Sequence, residues 1–266
     1  MDSEMINKDS GNAVAGGTLT GSGENRFEDQ HSRTLRLIGG GALAKLRGCR
    51  VAVFGLGGVG GYVCEALARS GVGALDLIDS DEVAPSNLNR QLIALRSTAG
   101  TLKVDAFEQR IHDIDPSITV RKYPLFYLPE TREKIPFSEF DYIADAIDTV
   151  SAKLDIIETA GRLGIPVISA MGCGNRLDPG KLKVCDISKT EGDPLAKVMR
   201  RQLRERGIKK LKVVWSAELP AKPAAEQASE QAGSAPSGRH APSSMIFVPA
   251  SAGLMMAAEI VKDIIS

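Results

Sequence analysis

Three glycines follow an apolar pentapeptide with the spacing G-x-G-x-x-G, which can hold a phosphate group. Residues 50–54 read RVAVF, Gly55, Gly57 and Gly60 follow directly, and Gly58 lies between them. Glycines let the backbone turn tightly, and they let a phosphate approach the main-chain N–H groups at the positive end of the next helix. The motif therefore predicts a nucleotide site where a strand passes into a helix.

Polar side chains that could bind a ribose lie at and after the end of the next apolar run, ALDLID (74–79). Asp79 ends this run, where a carboxylate can accept a hydrogen bond from a ribose hydroxyl. A tight strand-to-helix turn would explain the glycines but not Asp79. A dinucleotide site needs one acid at this corner, yet this sequence continues with a further set of polar residues: Asp81, Ser86, Asn87, Asn89, Arg90 and Gln91.

Two cations and one more acid point to a polyphosphate. Arg90 and Lys103 are of the type that neutralises phosphate charge. Asp148 ends the apolar run 142–148, so it should face the same sheet edge and could bind Mg²⁺ beside a phosphate. Together these residues predict a site for ATP with Mg²⁺ rather than NAD. The alternative is that residues 87–91 cap a helix and Lys103 is solvated.

Alternating strand and helix patterns must position these residues. The predicted strands are residues 50–54, 74–79, 119–123, 142–148 and 166–170. The predicted helices are residues 61–71, 101–115 and 151–164. This alternation predicts an α/β fold with a Rossmann-like, doubly wound, mostly parallel sheet.

The pattern changes after Gly172. Residues 181–188 and 209–216 are typical of antiparallel strands, and they flank a basic helix at 193–207. We therefore expect a C-terminal antiparallel extension of the sheet. An apolar helix at 251–265 ends the sequence.

Composition divides the chain into one domain and two segments without a core. Residues 1–25 are rich in Gly, Ser, Asn and Thr, and residues 220–243 contain little apolar material beyond alanine. Such segments cannot bury enough surface to offset the entropy of ordering. We expect a disordered tail at 1–25, a flexible loop at about 220–243, and a single ATP-binding domain over residues 26–266.

The overall composition excludes several protein classes. The chain has 33 basic and 33 acidic residues, so no global basic field indicates a nucleic-acid-binding protein. Its 4 cysteines form no C-x-x-C pair, which argues against a structural zinc site. The N-terminus lacks a signal-peptide pattern and no apolar run could span a bilayer, so we expect a cytoplasmic protein without a membrane partner.

Taken together, the motifs resemble the ubiquitin-activating-enzyme-like (ThiF/MoeB/HesA) adenylyltransferase superfamily. That resemblance implies carboxylate adenylation with ATP and Mg²⁺, and a homodimer. It also implies that an N-terminal arginine, here Arg33, reaches the ATP of the partner subunit, with Arg26 and Arg36 as alternatives. The segments that carry the resemblance are GLGGVG (55–60), DSDEV (79–83), SNLNRQ (86–91), Lys103, AIDTVSAK (146–153) and HSRTLRLIG (31–39).

Three further segments resemble the tRNA threonylcarbamoyladenosine dehydratases of this superfamily: residues 171–184, 193–200 and 247–254. Asp193 stands where some relatives carry a cysteine nucleophile. The resemblance implies ATP-dependent cyclisation of N6-threonylcarbamoyladenosine in the anticodon loop of tRNA, and some relatives have a sulfur-transfer or cysteine-desulfurase partner. Adenylation of the C-terminus of a ubiquitin-like sulfur-carrier protein is the alternative. A scaffold that binds NAD without chemistry is a third hypothesis.

The resemblance and the residue types together assign roles. We expect Arg33, Arg90, Lys103 and Asp148 to act in catalysis, with Asp148 as the metal ligand. The predicted nucleotide site contains Gly55, Gly57, Gly58, Gly60, Asp79, Asp81, Ser86, Asn87, Asn89, Arg90 and Lys103. The basic run 197–212 either contacts tRNA phosphates or forms a solvated helix face, and Cys173 and Cys185 are expected to be packing residues.

Overall fold

The computed structural model describes residues 30–221 and 243–266. The predicted tail at 1–25 and nearly all of the predicted loop at 220–243 therefore lie outside the described residues. Among the described residues, no helix combines the length and the apolar character that crossing a bilayer requires.

One sheet of seven strands forms the centre of the molecule. Its strands are β1 Arg50–Phe54, β2 Ala74–Ile78, β3 Thr119–Tyr123, β4 Tyr142–Asp145, β5 Val167–Ala170, β6 Leu182–Asp186 and β7 Lys212–Ser216. They lie in the order β3-β2-β1-β4-β5-β7-β6. All neighbours are parallel except β6 and β7, which are antiparallel. The predicted Rossmann-like sheet with a C-terminal antiparallel extension is confirmed.

Seven helices cover both faces of this sheet within the described residues. They are α1 Ser32–Ile38, α2 Gly40–Gly48, α3 Gly60–Ser70, α4 Lys103–Ile114, α5 Val150–Leu163, α6 Pro194–Glu205 and α7 Phe247–Ile265. Alternate residues of β1 sort into different apolar clusters. Val51 and Val53 pack with residues of α3, α4 and α7, whereas Ala52 and Phe54 pack with residues of α5. A third cluster joins α6 to β7 on the α5 side.

The final helix holds the helix that follows the phosphate loop. A Cβ atom at Gly253 of α7 would lie 2.3 Å from Val59 O and 2.8 Å from Tyr62 Cβ. Only glycine allows this close approach, which places α7 directly against the start of α3. Gly58 is also near α7, because its Cβ position lies 3.3 Å from Pro249 Cβ.

The predicted strand 142–148 is too long at its carboxyl end. β4 ends at Asp145, and Asp148 lies in the loop before α5. The Asp145 carboxylate accepts a hydrogen bond from Ile147 N–H at 3.4 Å, a local bond that turns the chain out of the sheet. The strand predicted at 209–216 likewise begins only at Lys212.

Candidate active site

A crevice of about 350 Å³ opens at the carboxyl edge of the parallel strands. The ends of β1, β2 and β4 are adjacent there, because β1 lies between the other two strands. Nine of the residues predicted from sequence line it: Gly55, Gly57, Gly58, Asp79, Asp81, Asn87, Arg90, Lys103 and Asp148. Ile78, Leu125 and Ile147 add an apolar wall that suits a purine ring.

The glycines of the phosphate loop have two different functions. Gly55 has a φ of 85°, and its Cβ position lies 2.9 Å from Ala146 O, so a side chain is excluded for two reasons. A Cβ atom at Gly60 would lie 1.8 Å from Gly55 O. Gly60 is therefore required for the turn and does not line the crevice. Gly57 and Gly58 line it and leave their backbone open to a phosphate.

Asp79 holds the phosphate loop and the following turn together. Its carboxylate accepts hydrogen bonds from Leu56 N–H at 2.6 Å and from Asp81 N–H at 2.8 Å. Burial raises the pKa of the Asp79 carboxyl, although Lys103 and the two N–H donors act in the opposite direction. Each carboxylate oxygen has a second lone pair, so Asp79 can still accept a ribose hydroxyl.

Lys103 is the buried cation of the site. It is 4% exposed, and its Nζ lies 2.7 Å from Asp81 Oδ2 and 4.0 Å from Asp79 Oδ1. Lys103 N–H also donates to Asp81 O at 2.9 Å, which fixes the start of α4 against the acidic turn. The alternative of a solvated lysine is wrong, since two acids hold the ammonium at the crevice wall.

Arg90 is positioned by neighbours that do not line the crevice. Its Nη1 donates to Ser86 O at 3.0 Å and to Asn89 Oδ1 at 2.9 Å. Asn89 in turn donates from Nδ2 to Ser244 O at 2.8 Å. Ser86 and Asn89, predicted as nucleotide ligands, lie behind Arg90 as its supports. Asn87 lines the crevice, while its Oδ1 accepts Ala84 N–H at 3.1 Å.

Asp148 offers an exposed carboxylate on the β4 side of the crevice. Within residues 30–221 and 243–266 it makes no hydrogen bond or ion pair, whereas the nearby Asp81 is paired with Lys103. Mg²⁺ is commonly held by one or two carboxylates together with substrate phosphates and water. Asp148 therefore fits a magnesium site completed by a bound triphosphate.

Arg33 is not part of this crevice. It lies on α1 with its side chain exposed, and the wall of the chain's own crevice does not include it. Arg36 is likewise exposed on α1, while Arg26 lies outside the described residues. The action of Arg33 on the ATP of a partner subunit stays a prediction.

The match to a family model settles the family. The model of the ThiF family matches residues 30–265. The chain belongs to the ThiF family.

Similar proteins carry more specific names. The chain is 43% identical over 240 residues to a tRNA threonylcarbamoyladenosine dehydratase of Bacillus subtilis, a match that covers 89% of this chain and 94% of that protein. A crystal structure of Escherichia coli tRNA N6-threonylcarbamoyladenosine dehydratase, TcdA, in complex with ATP has a TM-score of 0.81 and 31% identity, covering 90% of this chain and 95% of TcdA. An adenylyltransferase and sulfurtransferase UBA4 of Vanderwaltozyma polyspora is 35% identical over 148 residues, 56% of this chain and 33% of that protein.

The crevice also contains a residue that was not among the site residues predicted from the sequence. Gln91 is 8% exposed and lines the crevice, and its Nε2 lies 3.9 Å from the Cβ position of Gly57. Its Oε1 is buried and has no hydrogen-bond partner among the described residues. Gln91 follows Arg90 directly in the SNLNRQ segment, but only the burial of its amide distinguishes it from a solvated residue.

The loop that carries Asp148 rests on a buried pair that sequence analysis also omitted. Lys153 and Asp145 expose no side-chain surface, and Lys153 Nζ lies 3.0 Å from Asp145 Oδ2. Both residues stand in or beside the AIDTVSAK segment, yet Lys153 reads there as an ordinary helix lysine. An aspartate at the end of a strand and a lysine as the fourth residue of the next helix are a signal that could have identified the pair.

Asp193 of this ThiF family protein has a structural role. Its carboxylate caps α6 by accepting Ala196 N–H at 2.9 Å, and it pairs with Arg176 Nη2 at 2.9 Å. The side chains of Arg176 and Asp193 are only 1% and 0% exposed. Burial also raises the pKa of the nearby Cys173 thiol to about 12, so this thiol is protonated at neutral pH. Asp193 is therefore a helix cap and ion-pair partner, and Cys173 is not in the thiolate form that a nucleophile requires.

Proposed function

We propose that this protein is an ATP-dependent tRNA threonylcarbamoyladenosine dehydratase. The main support is the near full-length similarity to a dehydratase of that name. The crevice of this chain also combines a phosphate loop, the two cations Arg90 and Lys103, and the carboxylate of Asp148. A fold match alone would support many functions. Here the crevice of the chain itself also carries the residue types that adenylation chemistry requires.

The reaction begins with the free carboxylate of the threonylcarbamoyl group. A carboxylate oxygen attacks the α-phosphorus of ATP, forms a P–O bond and displaces pyrophosphate. A nucleophilic atom of the same side chain then attacks the activated carbonyl, closes a ring and releases AMP. The substrate loses one water in sum, while ATP becomes AMP and pyrophosphate. Intramolecular attack of this kind can reach an effective molarity of about 10⁵ M or more.

The residues of the crevice bind and orient rather than react. Asp79 accepts the ribose hydroxyl, and the open backbone at Gly57 and Gly58 lies against the α-phosphate. Arg90 and Lys103 neutralise the charge that develops on the phosphates. Asn87 contributes an amide at the same wall.

Asp148 would hold Mg²⁺ against the phosphates. When bound, the ion would supply charge neutralisation at the triphosphate and at the departing pyrophosphate. The protein contributes the carboxylate that is free to take up this position.

A homodimer is part of the proposal. Several apolar side chains of α1 and α7 are exposed in the single chain: Leu37 by 85%, Phe247 by 53% and Leu254 by 49%. A partner surface would remove them from water. In such a dimer Arg33 of α1 acts on the crevice of the partner subunit. A cytoplasmic location, where ATP and tRNA are both present, is also part of the proposal. A sulfur-transfer or cysteine-desulfurase partner stays a prediction.

The adenylation of a sulfur-carrier protein is the less favoured function. Asp193 is used as a helix cap and ion-pair partner, and the Cys173 thiol is protonated, so neither of these two positions offers a thiolate that could accept a carrier. An assay with a carrier that ends in Gly-Gly distinguishes the two functions, because only the alternative predicts carrier-dependent exchange of pyrophosphate into ATP.

The test is nucleoside mass spectrometry of tRNA that contains threonylcarbamoyladenosine. After incubation with the protein and ATP, we expect a product lighter by one water, together with AMP. Incubation without ATP should leave the nucleoside unchanged. If tRNA is unchanged with ATP while the carrier supports pyrophosphate exchange, the alternative replaces the proposal.

A further inference from the structure

Positive charge is concentrated in one stretch of an otherwise neutral chain. Residues 181–212 contain 11 basic and 4 acidic side chains, whereas the whole chain has 33 of each. This stretch covers β6, α6 and the start of β7. Sequence alone leaves open whether these cations are paired with acids or available to a ligand.

The structure commits three of these cations to the protein itself. Arg200 donates to Thr190 O at 2.5 Å. Arg206 lies 2.7 Å from Glu158 Oε1, and Lys212 lies 2.7 Å from Asp263 Oδ2. Arg206 and Lys212 join this stretch to α5 and α7, and Arg200 bonds to the loop before α6, so these three side chains are engaged within the protein.

Eight cations remain. Lys181 directly precedes β6, and the other seven form an exposed surface, which we call the basic face. Its members are Lys183, Lys189, Lys197, Arg201, Arg204, Lys209 and Lys210, all exposed. Arg201 reaches Glu205 only at 3.9 Å, and the others make no ion pair within residues 30–221 and 243–266. The acids of the same stretch are Asp186, Glu191, Asp193 and Glu205, and Asp193 is paired with Arg176, so the net charge stays positive.

The amphipathic pattern of α6 sets the direction of this face. Ala196, Met199 and Leu203 are buried against β7, whereas Lys197, Arg201 and Arg204 follow the spacing i, i+4, i+7 on the outer side. Lysine on the edge strand β6 can also serve to block strand-to-strand association. That explanation covers Lys183, but it does not apply to a helix.

The basic face leads to the edge of the sheet where the crevice opens. The N-cap of α6 is Asp193, which pairs with Arg176 beside Gly172, just past the carboxyl end of β5. From there α6 runs back toward the start of β7, because β5 and β7 are parallel. A polyanion that lies along α6 therefore ends at the same sheet edge as the nucleotide crevice.

We propose that the basic face binds the sugar-phosphate backbone of the tRNA anticodon stem, with the loop end of the RNA directed toward the crevice. The inference rests on the proposed function. Phosphate contacts by Lys and Arg supply sequence-independent affinity through counterion release, and RNA helices are recognised largely through backbone contacts. A row of unpaired cations on a rigid helix has the form that this mode of binding requires.

The test compares two triple variants with the same loss of charge. The first is Lys197→Gln/Arg201→Gln/Arg204→Gln on the basic face. The control is Arg47→Gln/Arg96→Gln/Lys134→Gln, whose residues are exposed, make no ion pair within the described residues and lie elsewhere. Glutamine is a good helix former, so α6 should persist in the first variant.

We expect the basic-face variant to bind tRNA at least about tenfold more weakly near physiological salt, and the slope of log affinity against log salt to fall by roughly 2 to 3. The KM for ATP and the kcat at saturating tRNA should stay within about twofold, because the crevice is intact. Equal tRNA affinity of the two triple variants would overturn the inference and would favour an acidic protein partner. Wild-type protein that binds tRNA but leaves the nucleoside unchanged would instead refute the proposed function, since tRNA binding is measured separately.

Discussion

Lys153 Nζ lies 3.0 Å from Asp145 Oδ2, and neither side chain exposes any surface. The same ammonium donates to Ile147 O at 3.0 Å, and Asp145 accepts from Ser169 Oγ at 2.6 Å. Asp148 comes directly after Ile147 in the chain. This buried pair therefore fixes the end of β4 from which the proposed magnesium ligand projects into the crevice.

Removal of one partner of this pair should be costly. We expect Lys153→Met to lower the free energy of unfolding by about 3–5 kcal/mol, because Asp145 would remain as an unpaired buried carboxylate. The measurement is urea denaturation. The double variant Asp145→Asn/Lys153→Met should recover much of the loss, and a single variant as stable as Lys134→Met would contradict this account.

Lys103 should matter for turnover more than for the fold. We expect Lys103→Ala to lower ATP-dependent turnover at least about 100-fold, since a preorganised cation at the phosphates would be lost. Its partner Asp81 has 62% of its side chain exposed, so water can solvate that carboxylate after the change. Circular dichroism should show an intact fold. Wild-type turnover in this variant would remove Lys103 from the proposed mechanism.

The magnesium requirement should depend on Asp148. We expect Asp148→Asn to shift the Mg²⁺ concentration for half-maximal turnover upward by about tenfold or more, because a neutral amide is a poor magnesium ligand. The measurement is a Mg²⁺ titration at fixed ATP. Asp113→Asn is an exposed control on α4 and should leave the titration unchanged.

Replacement of Gln91 should lower activity without lowering stability. We expect Gln91→Leu to lower kcat about 10–100-fold with little change in the KM for ATP, because an uncharged donor beside Gly57 would be lost. The same change should leave the protein as stable as wild type or about 1 kcal/mol more stable, since Leu removes a buried oxygen that has no partner among the described residues. Kinetics and thermal unfolding check the two effects. Unchanged kcat would make Gln91 a packing residue.

Cys173, which lies near Asp193 at the candidate nucleophile position, should be dispensable. The pKa of Cys173 is raised to about 12 by burial, so its thiol stays protonated at pH 8 and should react slowly with iodoacetamide. We expect Cys173→Ala to retain turnover within about threefold. The measurements are steady-state kinetics and the alkylation rate of the folded protein. Loss of turnover without loss of stability would revive a covalent mechanism.

The sheet and most of the crevice could be predicted because both follow from local patterns. The strands at 50–54 and 119–123 match the structure to the residue, and Asp79 and Asp148 each follow a parallel strand. Parallel strands end at one edge, so their following residues converge there. The end of β4 was misplaced by three residues, because the Asp145 carboxylate bonds to Ile147 N–H and no periodicity encodes that bond.

By itself, the sequence determined the strand-helix alternation, the glycine turn and the identity of the charged groups at the crevice, since these depend on residue type and on spacing along the chain. Only the tertiary structure decided which of those groups are available to a ligand and which are held by other protein groups. In the folded chain Lys103 lies between Asp79 and Asp81, and Asn89 supports Arg90. Asp193 caps a helix there. Hydrogen bonds and ion pairs depend on distances between residues far apart in the chain, and only the packed fold fixes those distances.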